Sequence, residues 1–131
     1  MTSFKSRMFN FVLRNRHLMQ GKLKKEVVDF NTSIAGFREQ CEKGATRFGK
    51  IPEGITVKAQ RIEGTNAEWL IPQGSDPTKV ILYVHCGGYV SGSCNDHRGL
   101  VSKFAKNTGV TNLLFEYRLA PEHPFPAGLN D

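Results

Sequence analysis

Phe4, Met8, Phe11, Val12, Leu18 and Met19 recur at steps of three and four residues, and Ile34, Phe37, Cys41, Ala45 and Phe48 repeat that spacing further on. Such spacing places apolar side chains on one stripe of a helix. Two amphipathic helices are therefore expected before residue 50, separated by residues 21–25, with Asn31, Thr32 and Ser33 as N-cap candidates for the second. After Pro52 the period changes. Ile55, Val57, Ala59 and Ile62 alternate with polar residues, as do Ala67, Trp69 and Ile71, and Glu63, Gly64, Thr65 and Asn66 form the turn between them. That pattern predicts a hairpin of half-buried strands.

Two further segments, KVILYVH from Lys79 and TNLLFEY from Thr111, read as continuous apolar runs, the pattern of parallel strands covered on both faces. Between them Leu100 pairs with Phe104 and Val101 with Ala105, and Gly109 offers a C-terminal stop. A strand, a helix and a second parallel strand are the simplest reading. Asp96 and His97 are expected to open that helix, with Asn95 or Ser93 as N-cap. The chain thus divides near Ile51 into a helical segment and an α/β segment. No internal repeat or low-complexity stretch interrupts either one.

Composition narrows the classes. The chain has 131 residues, of which 39% are hydrophobic and 23% charged, ordinary values for a globular domain and enough length for a real core. The net charge of +6 arises entirely in residues 1–50, which hold 11 Lys and Arg against 4 Asp and Glu, whereas the remainder is close to neutral. A basic helical stretch can bind nucleic acid or an anionic membrane surface, but no nucleic-acid-binding motif accompanies it, so it reads as the solvated face of an amphipathic helix. The three cysteines, Cys41, Cys86 and Cys94, form no CxxC pair, which argues against a disulfide framework or a zinc knuckle and fits a reducing cytoplasm. No apolar stretch is long enough for a signal-peptide core or a membrane span.

The chemistry concentrates in YVHCGGYVSGS, residues 83–93. A glycine pair after the carboxyl end of a buried parallel strand lets the backbone bend sharply and bring bare N–H groups close to a ligand. Such groups hold negative charge, either a phosphate or the oxyanion of an acyl-transfer intermediate. HCGGY lacks both the GxGxxG spacing of a dinucleotide site and the Gly-Lys-Ser/Thr ending of a phosphate loop, which favours acyl transfer. His85, Cys86, Cys94 and His97 do not have the spacing of a zinc site. Cys86 shows no oriented His–Asp/Asn partner set in the sequence and reads as a buried or loop thiol.

Two motifs carry a resemblance. HCGGY resembles the HGGG oxyanion motif, and EYRLAPEHPFPAGLND from Glu116 is similar to the DYRLAPEHPFPAALED segment of the hormone-sensitive-lipase-like esterases, carboxylesterases of the α/β-hydrolase fold. The resemblance runs from about Ile55 to Asp131. It implies that residues 1–50 are cap helices and that residues 51–131 are the N-terminal half of the hydrolase core, with an antiparallel hairpin followed by a parallel βαβ unit. It also implies that Gly87 and Gly88 are oxyanion donors, that His85 braces their loop and that Tyr89 lines the pocket, with Cys86 standing where the motif has its first glycine. Arg118 and Glu122 are expected to fix the proline loop through ionic hydrogen bonds, and Ala120–Pro121 and Phe125–Pro126 are expected to be cis.

The implied activity is hydrolysis of a small acyl ester by a serine nucleophile, with no cofactor and no metal. G-x-S-x-G is absent from the 131 residues, and in this fold the nucleophile, acid and histidine follow the segment seen here. The chain is accordingly expected to stop before the nucleophile elbow, to be inactive alone, and to self-associate through an open sheet edge. The alternative is a non-catalytic fragment or interaction remnant of such a hydrolase.

Overall fold

The computed structural model describes residues 3–19 and 33–131, which belong to two separate compact units. In the first unit α1 (Phe4–Arg14) and α2 (Arg16–Met19) replace the single helix expected over this stretch. The break falls at Asn15, whose side-chain amide donates to the Phe11 carbonyl at 2.8 Å. A short polar side chain that satisfies a terminal carbonyl favours such an ending. The separating stretch 21–25 and the cap candidates Asn31 and Thr32 lie outside the described residues.

In the second unit α3 (Ile34–Phe48) starts at Ser33, whose hydroxyl accepts the Gly36 N–H at 3.2 Å. The hairpin follows as β1 (Ile55–Ile62) and β2 (Thr65–Pro72), paired from Ile55 opposite Pro72 to Ile62 opposite Thr65. Its two-residue turn, Glu63 and Gly64, has positive φ at both positions, 49° and 86°. That is the turn whose twist matches the flanking strands.

Strand β3 (Val80–Val84), helix α4 (Cys94–Thr108) and β4 (Thr111–Phe115) form the expected parallel crossover. The sheet order is β1-β2-β4-β3, with β2 and β4 antiparallel. Ser93 and Asp96 close a reciprocal capping box at the start of α4, and Gly109, at φ 69°, ends it. A short helix, α5 (Ala127–Asn130), follows the proline-rich loop.

The core is small. Val101, Ala105 and Cys94 of α4 pack on Leu70 of β2 and Leu114 of β4, with Ile55 and Tyr83 at its margin. The expectation that β3 is covered on both faces is not met. Val80, Leu82 and Val84 are 52%, 60% and 58% exposed, because within residues 33–131 the main helix packed on the sheet, α4, covers only one of its faces.

What this arrangement does for a site follows from the register. Val84 lies opposite Phe115 at the ends of two parallel strands, so the loops after β3 and β4 leave the sheet side by side. Arg38 of α3 reaches both of them.

Candidate active site

The loop after β3 turns within five residues. The Gly87 carbonyl accepts the N–H groups of Val90 and Ser91 at 3.2 and 3.1 Å, and the Ser91 hydroxyl at 3.2 Å. A side chain at Gly87, whose φ is 139°, would meet the Ser91 carbonyl oxygen at 1.9 Å. Gly92, at φ 121°, has the His85 ring where a Cβ would stand, 2.1 Å from Nδ1. Glycine is therefore a steric requirement at both positions. Gly88 and Tyr89 occupy the left-handed region, at φ 62° and 61°. Among the described residues neither the Gly87 nor the Gly88 N–H has an acceptor. Two unspent donors thus sit at the carboxyl end of a parallel strand.

His85 is 2% exposed, and its ring stacks on Tyr117 with centroids 4.2 Å apart. Tyr117 Oη donates to the His85 carbonyl at 2.8 Å. His85 Nδ1 lies 3.0 Å from the Cys86 carbonyl oxygen. A carbonyl only accepts, so Nδ1 carries the proton and Nε2, buried without a partner, is the bare nitrogen of a neutral imidazole. Burial pushes the His85 pKa below the usual histidine range, consistent with that state. Tyr89 is 67% exposed, with its ring edge-on to Tyr117.

The segment after β4 is tied to α4, to β2 and to the glycine turn. Glu116 accepts the Cys94 N–H at 2.6 Å and the Asn66 side-chain amide at 2.8 Å, while the Ala120 N–H donates to the Tyr89 carbonyl at 2.8 Å. Both Ala120–Pro121 and Phe125–Pro126 are cis, as expected. Arg118 and Glu122 do make ionic hydrogen bonds, with partners the sequence had not singled out. Arg118 pairs with Asp131 at 2.6 Å, and Glu122 takes both terminal nitrogens of Arg38. The Arg38 guanidinium holds the Glu122 carboxyl down to about 2. Arg38 also donates from Nε to the Val90 carbonyl at 2.7 Å and from Nη2 to the Ala120 carbonyl at 2.9 Å. No local signal marks Arg38, which reads in sequence as one more charge on an amphipathic helix.

Cys86 departs from the sequence reading. Its exposed thiol lies 3.3 Å from His97 Nε2, and His97 Nδ1 contacts the Asp96 carboxylate. The oriented His–Asp pair that the sequence did not reveal is supplied by the first turn of α4. The available signal was the Ser93/Asp96 box, which fixes the register of that turn.

A family model described as alpha/beta hydrolase fold matches residues 81–131. An acetyl-hydrolase of Streptomyces hygroscopicus is 42% identical over 103 residues, 77% of this chain and 33% of the relative. An esterase of Acinetobacter venetianus is 35% identical over 82 residues, 61% of this chain and 27% of its own length. Among solved structures, an esterase from the bacterial hormone-sensitive lipase family superposes with a TM-score of 0.76 at 30% identity, covering 100% of this chain and 41% of that one. EstE5, soaked with p-nitrophenyl butyrate, gives 0.75 at 35% identity, covering 92% and 39%.

The chain has the α/β-hydrolase fold and is similar to esterases of the hormone-sensitive lipase family. It spans about a third of the length of the curated relatives it matches. The matched segment contains the glycine turn, α4, β4 and the proline loop, so the region of family similarity coincides with the braced end of the sheet. No described helix is long and apolar enough to cross a membrane.

Proposed function

We propose that this hydrolase segment supplies the oxyanion loop of a carboxylic ester hydrolase acting on small acyl esters. The observation that carries the reading is the pair of unspent N–H groups at Gly87 and Gly88, in a turn that only glycine can make and that His85, Tyr117 and Arg38 hold in place. In acyl transfer, donors of this kind stabilise the charge that develops on the carbonyl oxygen as the nucleophile attacks. Each does so without reorganising, because its loop is already fixed. Tyr89 lines the acyl pocket, His85 is a positioning residue, and residues 1–50 serve as the cap helices of the fold. The names of the relatives, an acetyl-hydrolase and esterases, support short acyl esters as the substrate class.

The serine nucleophile of this chemistry sits in a G-x-S-x-G turn, which the 131 residues do not contain. The chain alone is therefore expected to hydrolyse p-nitrophenyl butyrate at background rate. The test places residues 81–131 into EstE5 in exchange for the matching segment. The chimera is expected to hydrolyse the ester, and Gly87→Ala in it, whose Cβ would meet the Ser91 carbonyl oxygen at 1.9 Å and so displace both N–H groups, to lower kcat by roughly 10² to 10³. A folded chimera without activity, or a folded Gly87→Ala variant with unchanged kcat, would refute the proposal and favour a non-catalytic interaction remnant.

A further inference from the structure

We propose that Cys86 is a reactive thiol, with His97 as its base and Asp96 orienting that base, and that it is a modification site for small disulfides. The three side chains make a linear relay. Asp96 is itself fixed, because its Oδ1 accepts the Ser93 N–H at 3.1 Å in the capping box, and its side chain and that of His97 are only 9% and 12% exposed. A carboxylate accepts and does not donate, so the proton between Asp96 and His97 sits on Nδ1. Nε2 is left with its lone pair facing the Cys86 sulfur, and the thiol donates to it. His97 is further confined by the neighbouring rings of His85 and Tyr83, with centroids 5.3 and 6.1 Å away.

A thiol with an oriented imidazole base and free access is the arrangement that makes sulfur nucleophilic. The reaction balances as an exchange. The Cys86 proton passes to His97 Nε2 while Sγ attacks one sulfur of the disulfide. The new S–S bond forms as the old one breaks, and the departing thiolate takes the proton from His97. Cys86 is oxidised to a mixed disulfide and half of the reagent is reduced to a thiol. The adduct would stand beside Gly87 and Gly88. The other two cysteines lack these features. Cys94 is buried, with its thiol pushed up to about 12 by burial, and burial also raises Cys41.

This inference does not depend on the acyl-transfer reading, since no ester enters its test. Dithiodipyridine is added to the native 131-residue chain near neutral pH and the released thiopyridone is followed by absorbance, with the modified cysteine identified by peptide mapping. One equivalent is expected in a fast phase, at Cys86, with a rate constant about tenfold or more above that of glutathione under the same conditions. Cys86→Ala should abolish that phase. His97→Gln should slow it about tenfold or more while Cys94 stays protected, which reports that the variant is folded. Asp96→Asn, which keeps an oxygen for the Ser93 amide, should slow it less than His97→Gln. A first reaction at Cys41, a Cys86 rate no greater than that of glutathione, or a folded His97→Gln chain with an unchanged rate would each overturn the proposal.

Discussion

A neutral, buried histidine makes stability depend on pH in a direction that can be worked out. The His85 pKa lies below its unfolded value of about 6.5, so above that pH neither state holds the proton and the contribution is intact. As pH falls below about 6.5 the unfolded chain binds the proton first, and stability declines until the lower folded value is reached. The urea midpoint of the native chain is therefore expected to fall on going from about pH 7 to about pH 5 by more than that of His85→Gln. Equal slopes would contradict the assignment. Arg38 offers a second test, because its planar fork serves Glu122 and two backbone carbonyls at once. Arg38→Lys cannot reproduce that geometry and is expected to cost about 1 kcal/mol in chemical denaturation, chiefly through the carbonyl bonds, since the exposed carboxylate contact is screened. Neither Arg38 nor the His97–Cys86 contact was legible in sequence for the same physical reason. Each joins residues that local period and spacing do not relate, 52 positions apart for Arg38 and Val90 and 11 for Cys86 and His97. The glycine pair was legible because its signal is steric and local: only glycine tolerates the backbone at Gly87.

Elements built on a clean hydrophobic period were the readable part of this chain. The hairpin, α3 and α4 fall where the alternation and the three-four spacing place them, the parallel strands fall on the unbroken apolar runs, and the caps at Ser33, Ser93 and Gly109 account for the helix ends. How closely two helices approach carries no such period. Gly99 of α4 faces Gly49 at the end of α3, and a Cβ at Gly99 would lie 2.4 Å from the Gly49 Cα. Substituting alanine there sets a helix-propensity gain of about 1 kcal/mol against an overpacking cost of about 1 to 3 kcal/mol. Because the obstructing atoms are backbone, the cost should win, and Gly99→Ala is expected to lower stability. Gly44 of α3 has nothing within 4 Å of its Cβ position, so there the propensity term acts alone and Gly44→Ala is expected to raise stability by up to about 1 kcal/mol. Paired denaturation curves check both signs at once. Two gains of similar size would mean that α3 and α4 are not held at this separation.

At the scale of the whole molecule, the sheet ends in β3, which among the described residues has a hydrogen-bonded neighbour on one side only. Sequence anticipated the open edge but not the bare face beside it. An unbroken apolar run looks the same whether one or both of its faces are covered. Val80, Leu82 and Val84 project from the face that α4 does not reach, and the strand carries no charge, proline or bulge of the kind that discourages pairing. An unpaired edge and an exposed apolar face on one strand act in the same direction, since a second chain that pairs along the edge also brings its own apolar residues alongside. The isolated chain is therefore expected to self-associate. Sedimentation velocity should show species larger than 14.7 kDa whose proportion rises with concentration. Leu82→Lys places a charge on that face without touching the core cluster, and it should shift the distribution towards monomer. If the native chain sediments as a monomer at every concentration and unfolds cooperatively, the edge is not adhesive. If Leu82→Lys leaves the distribution unchanged, association runs through some other surface.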